Sequence, residues 1–124
     1  MEIKRVNPGG DYGALFSAAV ACDRVVVVGG TTAWDGCPDG DVEAQARFIF
    51  GKIDGFLAEC GASRSDVLFV QVYLDDIETW EAMNRAWLDW IDPDAVPARV
   101  SVEAKLLEGL KVEVTCLALR PPPD

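Results

Sequence analysis

The sequence predicts an α+β fold, a single mixed β-sheet with two helices packed on one face. Three observations carry that reading. Two segments repeat apolar residues at spacings of three and four, as helices with one buried stripe do. Six shorter segments are rich in Val, Leu, Phe and Thr and bounded by Gly, Pro or Asp, as strands are. Their order along the 124 residues is β-β-β-α-β-α-β-β, with no internal repeat and no linker, so residues 1–124 form one domain.

Ile3 to Val6 reads as a short strand and Asn7 to Gly13 as a Gly/Pro/Asp loop. Phe16 to Ala21 and Arg24 to Thr31 read as strands around a tight turn at Cys22-Asp23, the second ending at Gly29-Gly30. Asp35 to Asp41 is a loop. Asp41 is a helix N-cap, and Glu43 in the first turn favours the helix dipole. The stripe Ala46, Ile49, Ile53, Phe56, Leu57, Cys60 follows, with Gly61 as its stop. Val67 to Leu74 is a central strand, apolar on both faces. Asp75-Asp76 opens a second helix with the stripe Trp80, Met83, Asn84, Trp87, Leu88, Ile91, and Asp92-Pro93 ends it. Ala98 to Ala104 and Lys111 to Leu119 are strands about a turn at Glu108-Gly109, and Pro121-Pro122-Pro123 is an irregular tail.

Alternation assigns the faces of the sheet. Val100, Val102 and Ala104, with Val112, Val114, Cys116 and Ala118, are expected under the helices beside Leu68, Val70, Val72 and Leu74. The opposite face then carries Arg99, Ser101, Glu103, Glu113 and Thr115 together with Val67, Phe69, Gln71, Tyr73, Leu117 and Leu119. An apolar face with embedded charges fits a homo-oligomer packed sheet to sheet. On this parity Arg99 and Glu113 share a face. An ordinary cross-strand ion pair fits that parity, and so does a site in which the arginine fork grips a carboxylate while the glutamate takes a proton from water. Asn84, inside an apolar stripe, either pins a backbone segment or faces a site.

Composition narrows the chemistry. The chain is 50% hydrophobic and 26% charged, an ordinary globular balance. Its longest apolar stretches, Ala14 to Cys22 and Val25 to Val28, fall short of the ~20 residues that cross a bilayer. No apolar run follows Lys4-Arg5, so a cytoplasmic protein without a membrane partner is expected. The 4 cysteines, Cys22, Cys37, Cys60 and Cys116, are too dispersed for a zinc site or a disulfide framework, and Cys60 and Cys116 read as core. Histidine is absent, which excludes a Ser-His-Asp triad, a histidine base and histidine metal sites. The net charge of −10 disfavours a nucleic-acid partner.

The ordered set of segments resembles the RidA/YjgF family of reactive intermediate/imine deaminases, also labelled endoribonuclease L-PSP. Pro97-Ala98-Arg99-Val100-Ser101-Val102-Glu103 and Gly109-Leu110-Lys111-Val112-Glu113-Val114 carry the likeness. So do Val25 to Thr31, Glu43-Ala44-Gln45-Ala46-Arg47, Gly61 to Val67, Val72 to Asp76 and Asn84. The resemblance spans about Gly13 to Leu119. It implies a chorismate-mutase-like fold and a homotrimer in which the sheets form a central barrel, the helices lie outside and clefts open between subunits. It also implies that Arg99 binds the carboxylate of a small imine or enamine acid such as 2-aminoacrylate. Glu113 would position or activate the attacking water, backbone at Gly29, Gly30 and Thr31 would orient substrate, and Phe16, Asn84 and Ser101 would border the cleft. No metal or cofactor is implied. Phe16 stands where the best-studied branch has tyrosine, Gly29 where serine is common and Thr31 where glutamine is common, with Trp34 adding bulk, so a diverged subfamily is expected. The implied activity is hydrolysis of 2-imino acids to 2-keto acids and ammonia. The alternative is a non-catalytic small-ligand binder or regulator on the same trimer.

Overall fold

Hydrophobic patterning places the elements where the sequence reading puts them, with two short 3-10 turns added. A computed structural model of the chain describes residues 2–7 and 14–123. In chain order these are β1 (Ile3–Val6), β2 (Ala19–Cys22), β3 (Val25–Thr31), α1 (Val42–Glu59), β4 (Val67–Leu74), α2 (Trp80–Trp90), β5 (Ala98–Glu103) and β6 (Val112–Leu119), with 3-10 turns at Arg64–Asp66 and Ile77–Thr79. They form one 6-stranded sheet in the order β1-β2-β3-β6-β4-β5. Only β4 and β5 run parallel, α2 being the crossover between them. The loop expected from Asn7 to Gly13 lies, from residue 8 onward, outside the described residues.

The local signals act as their chemistry dictates. The Asp41 side chain accepts the Ala44 N–H at 2.8 Å and caps α1. Gly61 takes φ +76° past its end, a left-handed geometry that glycine adopts without strain. Between sheet and helices, Val26, Val28, Val70, Val72, Leu74, Val112 and Val114 meet Ile49, Phe50, Ile53 and Leu57 of α1 and Met83, Ala86, Trp87 and Trp90 of α2, all buried. Phe50 stacks on Trp90 at 4.5 Å and meets Trp87 edge-on at 6.1 Å, which fixes how the helices cross. Cys60 and Cys116 lie in this core, and burial pushes the Cys116 thiol up to about 12. Among the described residues no helix is long and apolar enough to cross a membrane.

Four expectations are corrected. In β5 the inward and outward sets are exchanged. Arg99 pairs with Val70 and Ser101 with Val72, whereas Val100 pairs with Gln71 and Val102 with Tyr73. Paired residues share a face, so Arg99 and Ser101 point to the helix side and Val100 and Val102, 39% and 40% exposed, point away from it. Hydrophobicity misleads here because β5 is an edge strand, and Trp87 gives an arginine a favourable place under α2. In β4 a register shift between Val67 and Phe69 buries Val67 and leaves Leu68 exposed, the reverse of strict alternation. The buried stripe of α2 is Met83, Ala86, Trp87, Trp90, while Trp80, Asn84 and Leu88 form a neighbouring row that borders a pocket. Phe16 to Ala18 precede β2 rather than belonging to it.

Among the described residues no helix or strand covers the sheet face away from the helices. Val25, Val27, Val100 and Val102 are exposed on it, and Phe69, Tyr73, Leu117 and Leu119 are half-buried.

Candidate active site in two halves

The corrected register separates the two charged residues singled out in the sequence. Arg99 shares a face with Val70 and Cys116, beneath α2. Glu113 pairs with Tyr73 and faces the other way, between the buried neighbours Val112 and Val114. One chain therefore holds two half-sites on opposite faces of its sheet, and Arg99 and Glu113 do not meet within it.

The first half surrounds Arg99. Its Nε donates to Ser101 Oγ at 3.0 Å, which orients the guanidinium, and the group lies 4.7 Å over the Trp87 ring. Nη2 is buried and has no hydrogen-bond partner among the described residues, and the same is true of Asn84 Oδ1. Burial lowers the Arg99 pKa from its ordinary value, yet a guanidinium remains cationic. Both residues border a pocket of about 440 Å³ walled by Trp80, Trp87 and Leu88. Here a buried donor lacks an acceptor and a buried acceptor lacks a donor. Such groups are costly unless something binds them. A small acid with an N–H beside its carboxylate satisfies both.

The second half surrounds Glu113. Burial raises its pKa above the usual carboxylate value, which suits a group that takes up and returns a proton. The carboxylate has its position because Gly30 carries no side chain: a Cβ there would overlap Glu113 Oε2. Phe16, Gly30 and Glu113 border one pocket of about 450 Å³. Gly29 and Thr31 lie beside it rather than in it. The Gly29 N–H donates to Ala18 O at 2.9 Å, and the buried Thr31 hydroxyl donates to Gly29 O at 3.0 Å.

Sequence reasoning missed the residues that hold these walls. Gln45, fully buried in α1, donates to Gly109 O at 3.1 Å and accepts from Lys111 N at 2.9 Å, bracing the loop between β5 and β6. Lys52 donates to Thr32 O at 3.0 Å and pairs with Asp35 at 2.9 Å, bracketing Trp34. A polar residue on an otherwise apolar helix stripe is the signal for such a brace, and Gln45 carried it. Replacing Gln45 with alanine leaves Gly109 O and Lys111 N unpaired and opens a small cavity. Chemical denaturation is expected to show a loss of about 2–4 kcal/mol; a loss within 0.5 kcal/mol, on the order of a surface change, refutes the bracing role.

The comparisons with known proteins agree with this architecture. The family profile described as Endoribonuclease L-PSP matches residues 11–120. A RutC family protein of Haemophilus influenzae is 37% identical over 75 residues, 60% of this chain and 65% of that protein. The RutC family protein YoaB of Escherichia coli is 32% identical over 98 residues, 76% of this chain and 86% of that protein. Among solved structures, a member of the YjgF protein family from Neisseria meningitidis superimposes with a TM-score of 0.87 at 27% identity, covering 99% of this chain and 98% of its own. A member of the same family from Mycobacterium tuberculosis gives 0.84 at 29% identity over 95% of this chain and 99% of its own. With two helices on a mixed six-stranded sheet and a match over nearly its full length, the chain belongs to the RidA/YjgF family, the one described as Endoribonuclease L-PSP.

Proposed function

We propose that the protein is a cofactor-independent imine deaminase whose site is completed when the Arg99 half of one copy faces the Glu113 half of another in a homotrimer. The single observation that carries this reading is the buried Arg99 Nη2 without a partner, beside the equally unpartnered Asn84 Oδ1. The uncovered sheet face supports the assembly, since burying its valines and aromatic residues favours association.

Arg99 and Ser101 hold the substrate carboxylate, and Asn84 Oδ1 accepts an N–H. The bound imine carbon then faces water held by Glu113. Glu113 takes one proton as the water oxygen bonds to carbon and the C=N electrons pass to nitrogen. With the imine bound in its protonated form, that proton returned to nitrogen makes an ammonium leaving group. Glu113 then accepts the proton of the new hydroxyl as C=O forms and the C–N bond breaks, so ammonia leaves and a 2-keto acid remains. An imine is already electrophilic, so positioning and one carboxylate meet the demand.

The test generates imines in situ with an amino-acid oxidase and follows their semicarbazide adducts. Wild type is expected to deplete the imine faster than buffer, and Arg99→Ala is expected to match buffer. Activity should fall with acidity through the raised pKa of Glu113, because only the ionised carboxylate accepts the proton. No acceleration over several imines refutes catalysis. The non-catalytic binder then remains, recognised by carboxylate binding that Arg99→Ala abolishes.

A further inference from the structure

We infer that the substrate carries a bulky apolar group, branched or aromatic, on its imine carbon. This rests on the imine-carboxylate reading above and narrows it away from fragments as small as 2-aminoacrylate.

The walls point there. Around Glu113 the pocket is bordered by Leu15, Phe16, Trp34, Leu107 and Leu110, with Glu113 its sole charged group among the described residues. Leu15 and Leu107 are 83% and 80% exposed, and Phe16 and Trp34 47% and 46%. On the Arg99 side, Trp80 and Leu88 are 47% and 70% exposed. Large apolar groups gathered around isolated polar ones are the usual form of a small-molecule site, and about 450 Å³ exceeds the need of a three-carbon acid.

The walls are also braced before any ligand arrives. Lys52, its side chain 13% exposed, fixes the segment around Trp34 through Thr32 O and Asp35, and Gln45 fixes the segment after Leu107. Preorganised apolar walls favour an apolar group without an ordering cost. They equally disfavour a charged or amide side chain, which would lose water and find no partner. With Arg99 occupied by the carboxylate and Glu113 by water, neither half offers a further ionic group to its ligand among the described residues.

The test compares imines made by oxidase from leucine and phenylalanine with those from alanine and glutamine, using the full-length protein. Expected is a kcat/KM for the leucine or phenylalanine imine about tenfold or more above that for alanine, the effect of burying a few methylenes. Trp34→Ala, its fold checked by circular dichroism, should lower that ratio several-fold, and Trp34→Phe should largely restore it. Equal or better use of the alanine or glutamine imine overturns the inference and leaves the deaminase reading standing. A ratio unmoved by Trp34→Ala and Leu107→Ala overturns it as well, because those side chains then cover a subunit contact. If no imine is consumed, the deaminase reading fails, and titration with phenylpyruvate and pyruvate decides the ligand class. Tighter binding of phenylpyruvate by about tenfold supports it, and equal affinity overturns it.

Discussion

A mixture of two inactive variants, Arg99→Ala and Glu113→Gln, is expected to regain about a quarter of the wild-type activity once their subunits exchange. The reason is the register of β5. Arg99 lies beside Val70 under α2 and Glu113 beside Tyr73 on the other face, so neither chain presents both to one ligand. In the proposed ring each cleft would take its arginine half from one copy and its glutamate half from the next. A cleft is intact when the first copy descends from Glu113→Gln and the second from Arg99→Ala. Random mixing gives each condition a probability of one half, hence about a quarter. The measurement is the imine assay on co-refolded protein, with light scattering to check a particle of three times the 13.4 kDa chain. Activity that stays at the parental level in fully exchanged trimers refutes the shared site, and a particle of one chain mass refutes the assembly.

Arg99→Met is expected to cost about 10²- to 10³-fold in kcat/KM while leaving thermal stability unchanged or raised, the activity loss being that of a charge-assisted carboxylate grip. Most replacements in a packed region lose activity because the fold weakens. Arg99 differs: its guanidinium is partly desolvated, no acidic side chain pairs with it among the described residues, and Nη2 is unbonded. Its folded form thus carries a desolvated charge that a methionine, keeping contact with Trp87, removes. Arg99→Lys should not rescue activity, since an ammonium cannot reproduce the planar fork. Calorimetry beside the imine assay reads both quantities. A thermal midpoint that falls in step with activity would falsify the claim that Arg99 serves the ligand rather than the fold.

Much of this architecture was legible in the sequence because the signals were local. Asp41, Gly61 and the 3.6-residue stripe fix α1 by capping and burial alone. The assignment of Arg99 and Glu113 rested on motif order, and the structure leaves both at pockets. What the sequence hid was the relation between them. Alternation in β5 shows two sets of residues but not which one faces in, and the apolar set, Val100 and Val102, was the natural choice for the core. The parallel pairing with β4 decides otherwise, and pairing is a tertiary property. The same holds for Val67 and Leu68, exchanged by a register shift, and for Leu107 and Leu110, whose turn gives no periodic signal.

Gly30 carries a consequence of its own. The Glu113 carboxylate occupies space that a single methyl group would fill, so its placement depends on an atom that is missing. In the proposed reaction an alanine at that point is therefore expected to act as a one-carbon off switch. It changes no charge, breaks no hydrogen bond and leaves every reacting group present but displaced.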